Sequence, residues 1–263
     1  MRSAAGSRNR QLLETAAARL QSAGCDTPRL DAELLLAHAL GVERARLLID
    51  EFSIPDEFDA LLERRAAREP VAYILGHKDF RRIRLAVDRR VLIPRPETEL
   101  LVEAALDLPA GSRVADVGTG SGAVALALKD ERPDLEVTGF DLSEDALVVA
   151  RGNAERLGLD VRLVQADLID DGEYDAVLGN LPYVPSGVEL QPEIAEYEPA
   201  AALFAGPDGL DLIRRLIARI DRVPFVALEI GFGQEAAVAD LLGGRTEILR
   251  DLAGHERVVV GRR

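Results

Sequence analysis

The sequence is poor in the residue types that build covalent cross-links and metal centres. Its 263 residues include one cysteine, Cys25, and three histidines. A single cysteine excludes an internal disulfide and a cluster of thiolate ligands, and His38, His77 and His255 lie too far apart for a metal-binding motif. We therefore expect no bound metal, and the cysteine usage favours a reducing compartment, the cytoplasm.

Long apolar runs and an excess of positive charge are also missing. No segment approaches the roughly 20 apolar residues that span a bilayer, and the N-terminal segment lacks the apolar core of a secretory signal. The sequence thus predicts no membrane association. Asp and Glu total 46 against 32 for Lys and Arg, a net charge of −14. Such a surface repels phosphates, so we expect no direct binding of nucleic acid.

The hydrophobic pattern changes twice along the chain. Helical spacing of apolar residues predicts a small all-helical domain over residues 1–70. A β-hairpin linker is predicted over 71–93. Its extended runs are Val71–Leu75, Arg81–Val87 and Val91–Ile93. Over 94–263 strand and helix patterns alternate, which predicts an α/β, Rossmann-like domain with a mostly parallel sheet and an antiparallel pair at one edge.

A glycine-rich turn follows the first strand of the α/β region. It consists of Gly118, Thr119, Gly120, Ser121 and Gly122. Glycines at these positions let the backbone pass close to a ligand. The spacing differs from the dinucleotide fingerprint and no Gly-Lys-Ser/Thr follows, so a nucleoside ligand without phosphates is favoured over a dinucleotide or a nucleoside triphosphate.

Two acids end the next two strand patterns. Asp141 lies where a carboxylate can accept hydrogen bonds from both ribose hydroxyls. Asp167 can accept the exocyclic amine of adenine while Leu168 packs on the ring. Together with the glycine turn, these residues predict a site for S-adenosylmethionine.

The fourth strand pattern leads into Asn180, Leu181, Pro182 and Tyr183. In a parallel sheet this strand end lies beside the glycine turn, so Asn180 is expected to contribute to cofactor binding as well as to catalysis. The Asn180 side-chain oxygen and the Leu181 carbonyl can hold an NH₂ group with its lone pair aimed at a methyl donor. Pro182 restrains the Leu181 backbone, and Tyr183 offers a ring face to a planar group.

Several stretches carry a resemblance that covers nearly the whole chain. They are Thr27–Glu33, Glu69–Gly76, Ile93–Glu99, the glycine turn, Tyr197–Leu203 and Asp251–Val258. In them the chain resembles the S-adenosylmethionine-dependent methyltransferases that modify a glutamine of bacterial peptide-chain release factors. The resemblance implies a helical N-terminal domain, a hairpin linker and a seven-stranded class I methyltransferase domain. It also implies methylation of the amide nitrogen (N5) of the glutamine in the release factor's Gly-Gly-Gln loop. We expect the protein to be a monomer.

One position departs from the family's pattern, which is usually Asn-Pro-Pro-Tyr: residue 181 is Leu. The backbone acceptor survives this change, so we expect activity with a less rigid loop. Three alternatives stay open: glutamine methylation of a ribosomal protein, adenine-N6 methylation of RNA or DNA, and a cofactor-binding scaffold that lost catalysis through Leu181. The second needs a basic groove, for which the arginines of the Arg81–Arg90 run are the candidates.

Overall fold

A computed structural model describes residues 5–50 and 52–263. The helices are α1 Ala5–Ser22, α2 Pro28–Leu40, α3 Glu57–Ala66, α4 Val71–Leu75, α5 Glu99–Ala105, α6 Ala123–Glu131, α7 Glu144–Leu157, α8 Pro192–Ala195, α9 Asp211–Ile217 and α10 Glu235–Leu242. The strands are β1 His77–Phe80, β2 Ile83–Ala86, β3 Arg113–Val117, β4 Glu136–Asp141, β5 Arg162–Gln165, β6 Ala176–Gly179, β7 Phe225–Glu229, β8 Arg245–Arg250 and β9 Glu256–Arg262. Short 3₁₀ helices lie at Arg44–Leu48, Pro96–Thr98 and Ala200–Ala202.

The chain divides into two compact units. The first contains residues up to Gly76 together with Leu190–Tyr197, and the second contains His77–Glu189 and Glu198–Arg263. The predicted domains were 1–70, 71–93 and 94–263. That division does not include the return of Leu190–Tyr197 to the helical unit.

The helical unit is built around buried leucines and one aromatic ring. Leu20, Leu35, Leu36 and Phe58 are fully buried in its core. Gly41 ends α2 in the left-handed conformation, with φ 64°, and its backbone N–H bonds back to the helix. Glycine adopts this conformation without the steric cost that a Cβ adds, so the break predicted there is explained.

A buried charge cluster holds Leu190–Tyr197 in this unit. Arg65 donates to Asp31 Oδ2 at 2.7 Å and to Glu193 Oε1 at 2.9 Å, and Arg68 donates to both oxygens of Glu193. Asp31 and Arg65 are 4% and 5% exposed. Removing one member would leave a buried charge without its partner, which typically costs about 3 to 5 kcal/mol.

The extended run predicted for Val71–Leu75 is wrong, because these residues form helix α4. Valine, tyrosine and isoleucine favour strands, but Tyr73 and Ile74 are buried in a helical turn instead. Pro70 precedes the helix, and Gly76 ends it in the left-handed conformation. Both residues are helix-boundary signals.

The hairpin itself is present but shorter than predicted. β1 and β2 pair antiparallel, with His77 opposite Ala86 and Phe80 opposite Ile83. The hairpin thus begins at His77, where a break was predicted, and Val91–Ile93 forms no strand. Its inward side chains, Phe80, Ile83 and Leu85, are buried.

The second unit contains the predicted Rossmann-like sheet. Its seven strands lie in the order β5-β4-β3-β6-β7-β9-β8. Pairing is parallel from β5 to β7, whereas β9 runs antiparallel to both β7 and β8. The antiparallel pair predicted at one edge is therefore confirmed. Strand order reverses between β3 and β6, and in such sheets ligands bind at the carboxyl ends on either side of this point.

The sheet core is dominated by β-branched and leucine side chains. Val117 of β3, Val177 of β6 and Leu228 of β7 are almost fully buried with Ile213 of α9 and Val238 of α10. None of the helices formed by residues 5–50 and 52–263 combines the length and apolar character that a bilayer crossing requires.

Candidate active site

A cavity of about 280 Å³ opens where the central strands end. Val117, the last residue of β3, pairs with Phe140 of β4 on one side and with Gly179 of β6 on the other. The segments that follow these strands therefore meet at one edge of the sheet. Of the predicted site residues, the cavity wall contains Gly118, Thr119, Gly120, Ser121, Asp141, Asp167, Leu168, Asn180, Leu181 and Pro182.

The glycine turn is fixed by backbone hydrogen bonds to the neighbouring strand. The N–H groups of Gly118 and Thr119 both donate to the Phe140 carbonyl at 2.8 Å. Gly118, Gly120 and Gly122 all have positive φ, from 55° to 84°. A Cβ on Gly120 would meet no atom closer than 4.0 Å, so this glycine leaves open space beside the backbone. Gly122 is the N-cap residue that precedes α6, and it does not line the cavity.

Asp141 ends β4 with its carboxylate held in place. Oδ2 accepts the Gly120 N–H at 2.9 Å, and Oδ1 accepts the Ser143 N–H at 2.9 Å. Burial raises the pKa of this carboxyl, and the two backbone hydrogen bonds oppose that rise. Each carboxylate oxygen can accept more than one hydrogen bond, so both can still accept hydroxyl groups from the cavity.

Asp116 is a cavity residue to which the sequence interpretation gave no role. Its Oδ2 accepts the Thr119 hydroxyl at 2.7 Å and the Ala125 N–H at 3.1 Å. Burial raises the pKa of Asp116 to about 6. Asp116 precedes the glycine turn by two positions. Side chains alternate between the two faces of a strand, and this alternation along β3 could have predicted that Asp116 lies beside the cavity.

Asp167 and Leu168 lie on the cavity wall, but the carboxylate of Asp167 already has cationic partners. Its Oδ2 lies 2.5 Å from Arg215 Nη2 and 3.7 Å from Arg219 Nη2, and the side chain is about half exposed. Leu168 is 7% exposed and has φ 73°, a left-handed conformation that is uncommon for a leucine. The roles predicted for both residues at an adenine stay predictions.

Asn180 and Leu181 present two unused hydrogen-bond acceptors. Asn180 Nδ2 donates to Thr98 Oγ1 at 3.0 Å. No described residue donates to Asn180 Oδ1 or to the Leu181 carbonyl oxygen. Both residues line the cavity, so these oxygens can accept hydrogen bonds from an NH₂ group that enters it.

The leucine at position 181 is anchored by packing. Its side chain is 4% exposed and belongs to the core of the sheet. A Cβ on Gly118 would lie 3.2 Å from Leu181 Cδ2 and 3.4 Å from the Asn180 carbonyl oxygen. The β6 loop and the glycine turn are thus in direct contact. The reduced rigidity expected of this loop stays untested, although the buried side chain restrains it.

Tyr183 lies beyond the cavity wall. Its hydroxyl donates to Glu229 Oε1 at 3.2 Å, and its carbonyl accepts from Gln234 Nε2 at 3.0 Å. Burial and the neighbouring Glu229 carboxyl raise the pKa of the Tyr183 hydroxyl. The ring face predicted to meet a planar group stays a prediction.

Thr98 and Glu229 were missed by the sequence interpretation. Glu229 ends β7, is 2% exposed and accepts a hydrogen bond from the Tyr183 hydroxyl, while the nearby Thr98 hydroxyl stabilises its charged form. Burial raises its pKa to about 7. Glu229 lies at the carboxyl end of β7, the strand next to β6. Ligands bind at the carboxyl ends of parallel strands, so this position could have indicated Glu229 as it indicated Asp141.

Four of the five arginines in the Arg81–Arg90 run form ion pairs within the second unit. Arg81 pairs with Glu103 and Glu131, and Arg82 with Asp130. Further pairs are Arg84 with Asp79 and Arg90 with Asp88. These contacts weaken the case for a free cationic groove. Among the described residues, no His, Cys, Asp or Glu cluster has a metal-binding arrangement.

A Rossmann-like sheet with a glycine turn beside an asparagine-bearing strand end defines a methyltransferase domain. In agreement, residues 96–197 match the family model described as "Methyltransferase small domain". Solved structures share this fold: the hMettl16 catalytic domain in complex with an RNA hairpin has a TM-score of 0.56 at 16% identity, covering 77% of this chain and 81% of that one. A Thermus thermophilus 16S rRNA methyltransferase in complex with AdoMet has a TM-score of 0.50 at 15% identity, covering 71% and 49%.

The chain belongs to the release factor glutamine methyltransferase family. Residues 11–76 match the model described as "PrmC N-terminal domain". The release factor glutamine methyltransferase of Rhodospirillum rubrum is 41% identical, over 96% of this chain and 84% of that protein. The one of Deinococcus radiodurans is 41% identical over 97% and 98%. The family predicted from the sequence motifs is thereby confirmed.

Proposed function

We propose that this enzyme transfers the methyl group of S-adenosylmethionine to the amide nitrogen, N5, of the glutamine in the Gly-Gly-Gln loop of a peptide-chain release factor. The names of its relatives support the protein substrate. The observation that carries the choice of atom is the pair of unused acceptors, Asn180 Oδ1 and the Leu181 carbonyl, on the wall of the same cavity as the glycine turn.

The residues of the cavity wall suit the proposed cofactor. Asp141 offers two oriented carboxylate oxygens for ribose hydroxyls, and the open space at Gly120 admits a ligand close to the backbone. The wall is otherwise largely apolar, as an adenine ring requires. A solved structure of the same fold contains AdoMet. When bound, the cofactor supplies an electrophilic methyl group.

The protein's task is to orient a poor nucleophile. An amide nitrogen is weakly nucleophilic because its lone pair is delocalised into the carbonyl. Two hydrogen bonds from the NH₂ group, to Asn180 Oδ1 and to the Leu181 carbonyl, fix the plane of the amide and leave its lone pair facing the glycine-turn side of the cavity. Positioning of this kind can lower a barrier by several kcal/mol, up to about 7 to 11 in well-oriented reactions. Methylation acidifies the nitrogen, so the N–H proton that the new N–C bond displaces passes to solvent water and no strong base is needed.

The proposal also includes the oligomeric state of the protein, its location in the cell and the kind of partner on which it acts. We infer that the protein acts as a monomer in the cytoplasm, during translation termination, on a protein surface and without direct contact to nucleic acid. The net charge of −14 and the ion pairs of the Arg81–Arg90 run support the last point.

The test is mass spectrometry of purified release factors incubated with the enzyme and isotope-labelled S-adenosylmethionine. We expect a mass gain of one CH₂ group on the glutamine of the Gly-Gly-Gln loop. A release factor with that glutamine changed to alanine is the control and should gain nothing. Labelling of a ribosomal protein or of an adenine in RNA, with the release factor unlabelled, would contradict the proposal.

A further inference from the structure

Asn180 belongs to a chain of hydrogen bonds that continues away from the cavity. Asn180 Nδ2 donates to Thr98 Oγ1, and the Thr98 hydroxyl lies close enough to the Glu229 carboxyl to stabilise its charged form. Glu229 Oε1 also accepts from the Tyr183 hydroxyl. Thr98 and Glu229 are 3% and 2% exposed, so water does not compete for these bonds.

The proton count along this chain fixes the polarity of the Asn180 carboxamide. A threonine hydroxyl has one proton to donate. If that proton is directed at the neighbouring Glu229 carboxyl, the Thr98 oxygen can only accept from Asn180, as the observed hydrogen bond has it. An accepting oxygen selects the NH₂ end of the carboxamide, and the Oδ1 end is left for the cavity.

The opposite orientation would defeat substrate binding as proposed above. With Nδ2 in the cavity, two NH₂ groups would face each other, one from Asn180 and one from the substrate amide, and neither could accept. A carboxamide without an external constraint can adopt both orientations, since its oxygen and nitrogen are almost equal in size.

We propose that Thr98 and Glu229 are positioning residues that lock the Asn180 carboxamide with its oxygen facing the substrate. This inference rests on the proposed function, since it assumes that the substrate presents an NH₂ group. It adds two residues that act through Asn180: Thr98, which lies on the cavity wall, and Glu229, which is not part of that wall. Tyr183 contributes by holding the Glu229 oxygen from the other side.

Glu229 is suited to this task by its surroundings. Its Oε2 has no hydrogen-bond partner among the described residues, whereas Oε1 is used. When the carboxyl is protonated, the proton can reside on Oε2 and leave Oε1 as the acceptor. The groups that act on its charge are Thr98, Tyr183, Glu97 and Arg257. The Thr98 proton therefore has an acceptor in either protonation state of Glu229.

The experiment compares Thr98→Val with Thr98→Ser in steady-state methylation of a release factor. Valine keeps the shape of threonine and removes the hydroxyl, whereas serine keeps the hydroxyl. We expect Thr98→Val to lower kcat by about 10- to 100-fold, less than the loss of a direct transition-state hydrogen bond. The dissociation constant for S-adenosylmethionine should not change, and Thr98→Ser should restore most of kcat.

A second pair of variants tests the far end of the chain. Glu229→Gln keeps a carbonyl acceptor and should retain most of kcat, whereas Glu229→Met removes the acceptor and should lower kcat as Thr98→Val does. Thermal unfolding of each variant shows that the measured protein is folded. The kcat of either variant, Thr98→Val or Glu229→Met, tests the positioning role if that variant folds.

The outcomes separate this inference from the proposed function. If the wild-type enzyme methylates the release factor and both Thr98→Val and Glu229→Met keep full kcat, the positioning role is wrong and the function stands. If the wild-type enzyme leaves release factors unmodified, the function is wrong and the inference falls with it. Equal losses in Thr98→Val and Thr98→Ser would also overturn the inference, because they would show a packing effect.

Discussion

Leu181 packs directly on Gly118, with 3.2 Å between Leu181 Cδ2 and the position that a Cβ on Gly118 would occupy. The two residues follow adjacent strands, β6 and β3, and belong to the two segments assigned to substrate and to cofactor. Their contact sets the spacing between the segments. Since Leu181 is buried, the spacing is maintained by hydrophobic packing.

Gly118→Ala should therefore damage both stability and cofactor binding. The residue has φ 75°, where an alanine costs about 1 to 2 kcal/mol, and the added methyl group would press on Leu181. The free energy of unfolding, measured with urea, should fall by at least that amount. Gly152→Ala in α7 is the matched control, because no atom lies within 4 Å of its added Cβ. It should stabilise the helix by about 0.5 to 1 kcal/mol. Equal effects of the two changes would contradict this reading.

Leu181→Ala tests whether the leucine anchors the substrate loop. Truncating a buried leucine usually costs about 2 to 5 kcal/mol, and the cavity so formed should loosen the Leu181 carbonyl as an acceptor. We expect a lower unfolding free energy together with a lower kcat. Leu181→Met, which conserves volume, should cost less than about 1.5 kcal/mol. A fully active Leu181→Ala would show that the anchor is dispensable.

Asp141→Asn should weaken cofactor binding. The change removes the charge that strengthens hydrogen bonds from ribose hydroxyls, and bonds to a charged acceptor are worth about 1.5 to 3 kcal/mol each. The dissociation constant for S-adenosylmethionine, measured by calorimetric titration, should rise by about 10- to 100-fold on this scale. Asp160→Asn, at an exposed position, is the control and should bind normally. An unchanged affinity of Asp141→Asn would rule out the ribose role.

Glu229 should make the stability of the enzyme depend on pH. Burial raises the pKa of Glu229 from 4.5 to about 7. A raised pKa means that the folded protein holds this proton more tightly than the unfolded chain. The stabilisation is thus complete below pH 4.5 and is lost as the pH rises through about 7. The loss is on the order of 3 kcal/mol, at about 1.4 kcal/mol per pKa unit.

Glu229→Gln removes this titration. The wild-type protein should lose more unfolding free energy than Glu229→Gln between pH 4.5 and pH 7, as urea denaturation at a series of pH values can measure. Parallel pH profiles for the two proteins would mean that Glu229 does not titrate in this window.

Much of the fold and the site could be predicted because both follow from local pattern. Alternation of strand and helix identified the sheet, and the ends of β3, β4 and β6 located Gly118, Asp141 and Asn180. The misassigned segment, Val71–Leu75, has strand-forming residues whose helical conformation depends on burial of Tyr73 and Ile74. Local composition does not contain that information.

Long-range contacts could not be predicted either, because local composition does not specify them. Glu193 joins the helical unit because Arg65 and Arg68 approach it from distant parts of the sequence. Likewise, the Thr98 hydroxyl meets Asn180 across 82 positions. Such pairs depend on which elements become neighbours in the folded protein, and a single sequence specifies them only through the whole fold.

Whether Asn180 holds the substrate amide is decided by the kinetics of Asn180→Ala with a release factor as substrate. We expect kcat to fall by about 100- to 1000-fold, as for loss of a preorganised transition-state hydrogen bond, while the dissociation constant for S-adenosylmethionine changes far less. An Asn180→Ala enzyme that methylates the release factor at the wild-type rate would contradict the assignment of Asn180 as the residue that holds the substrate amide.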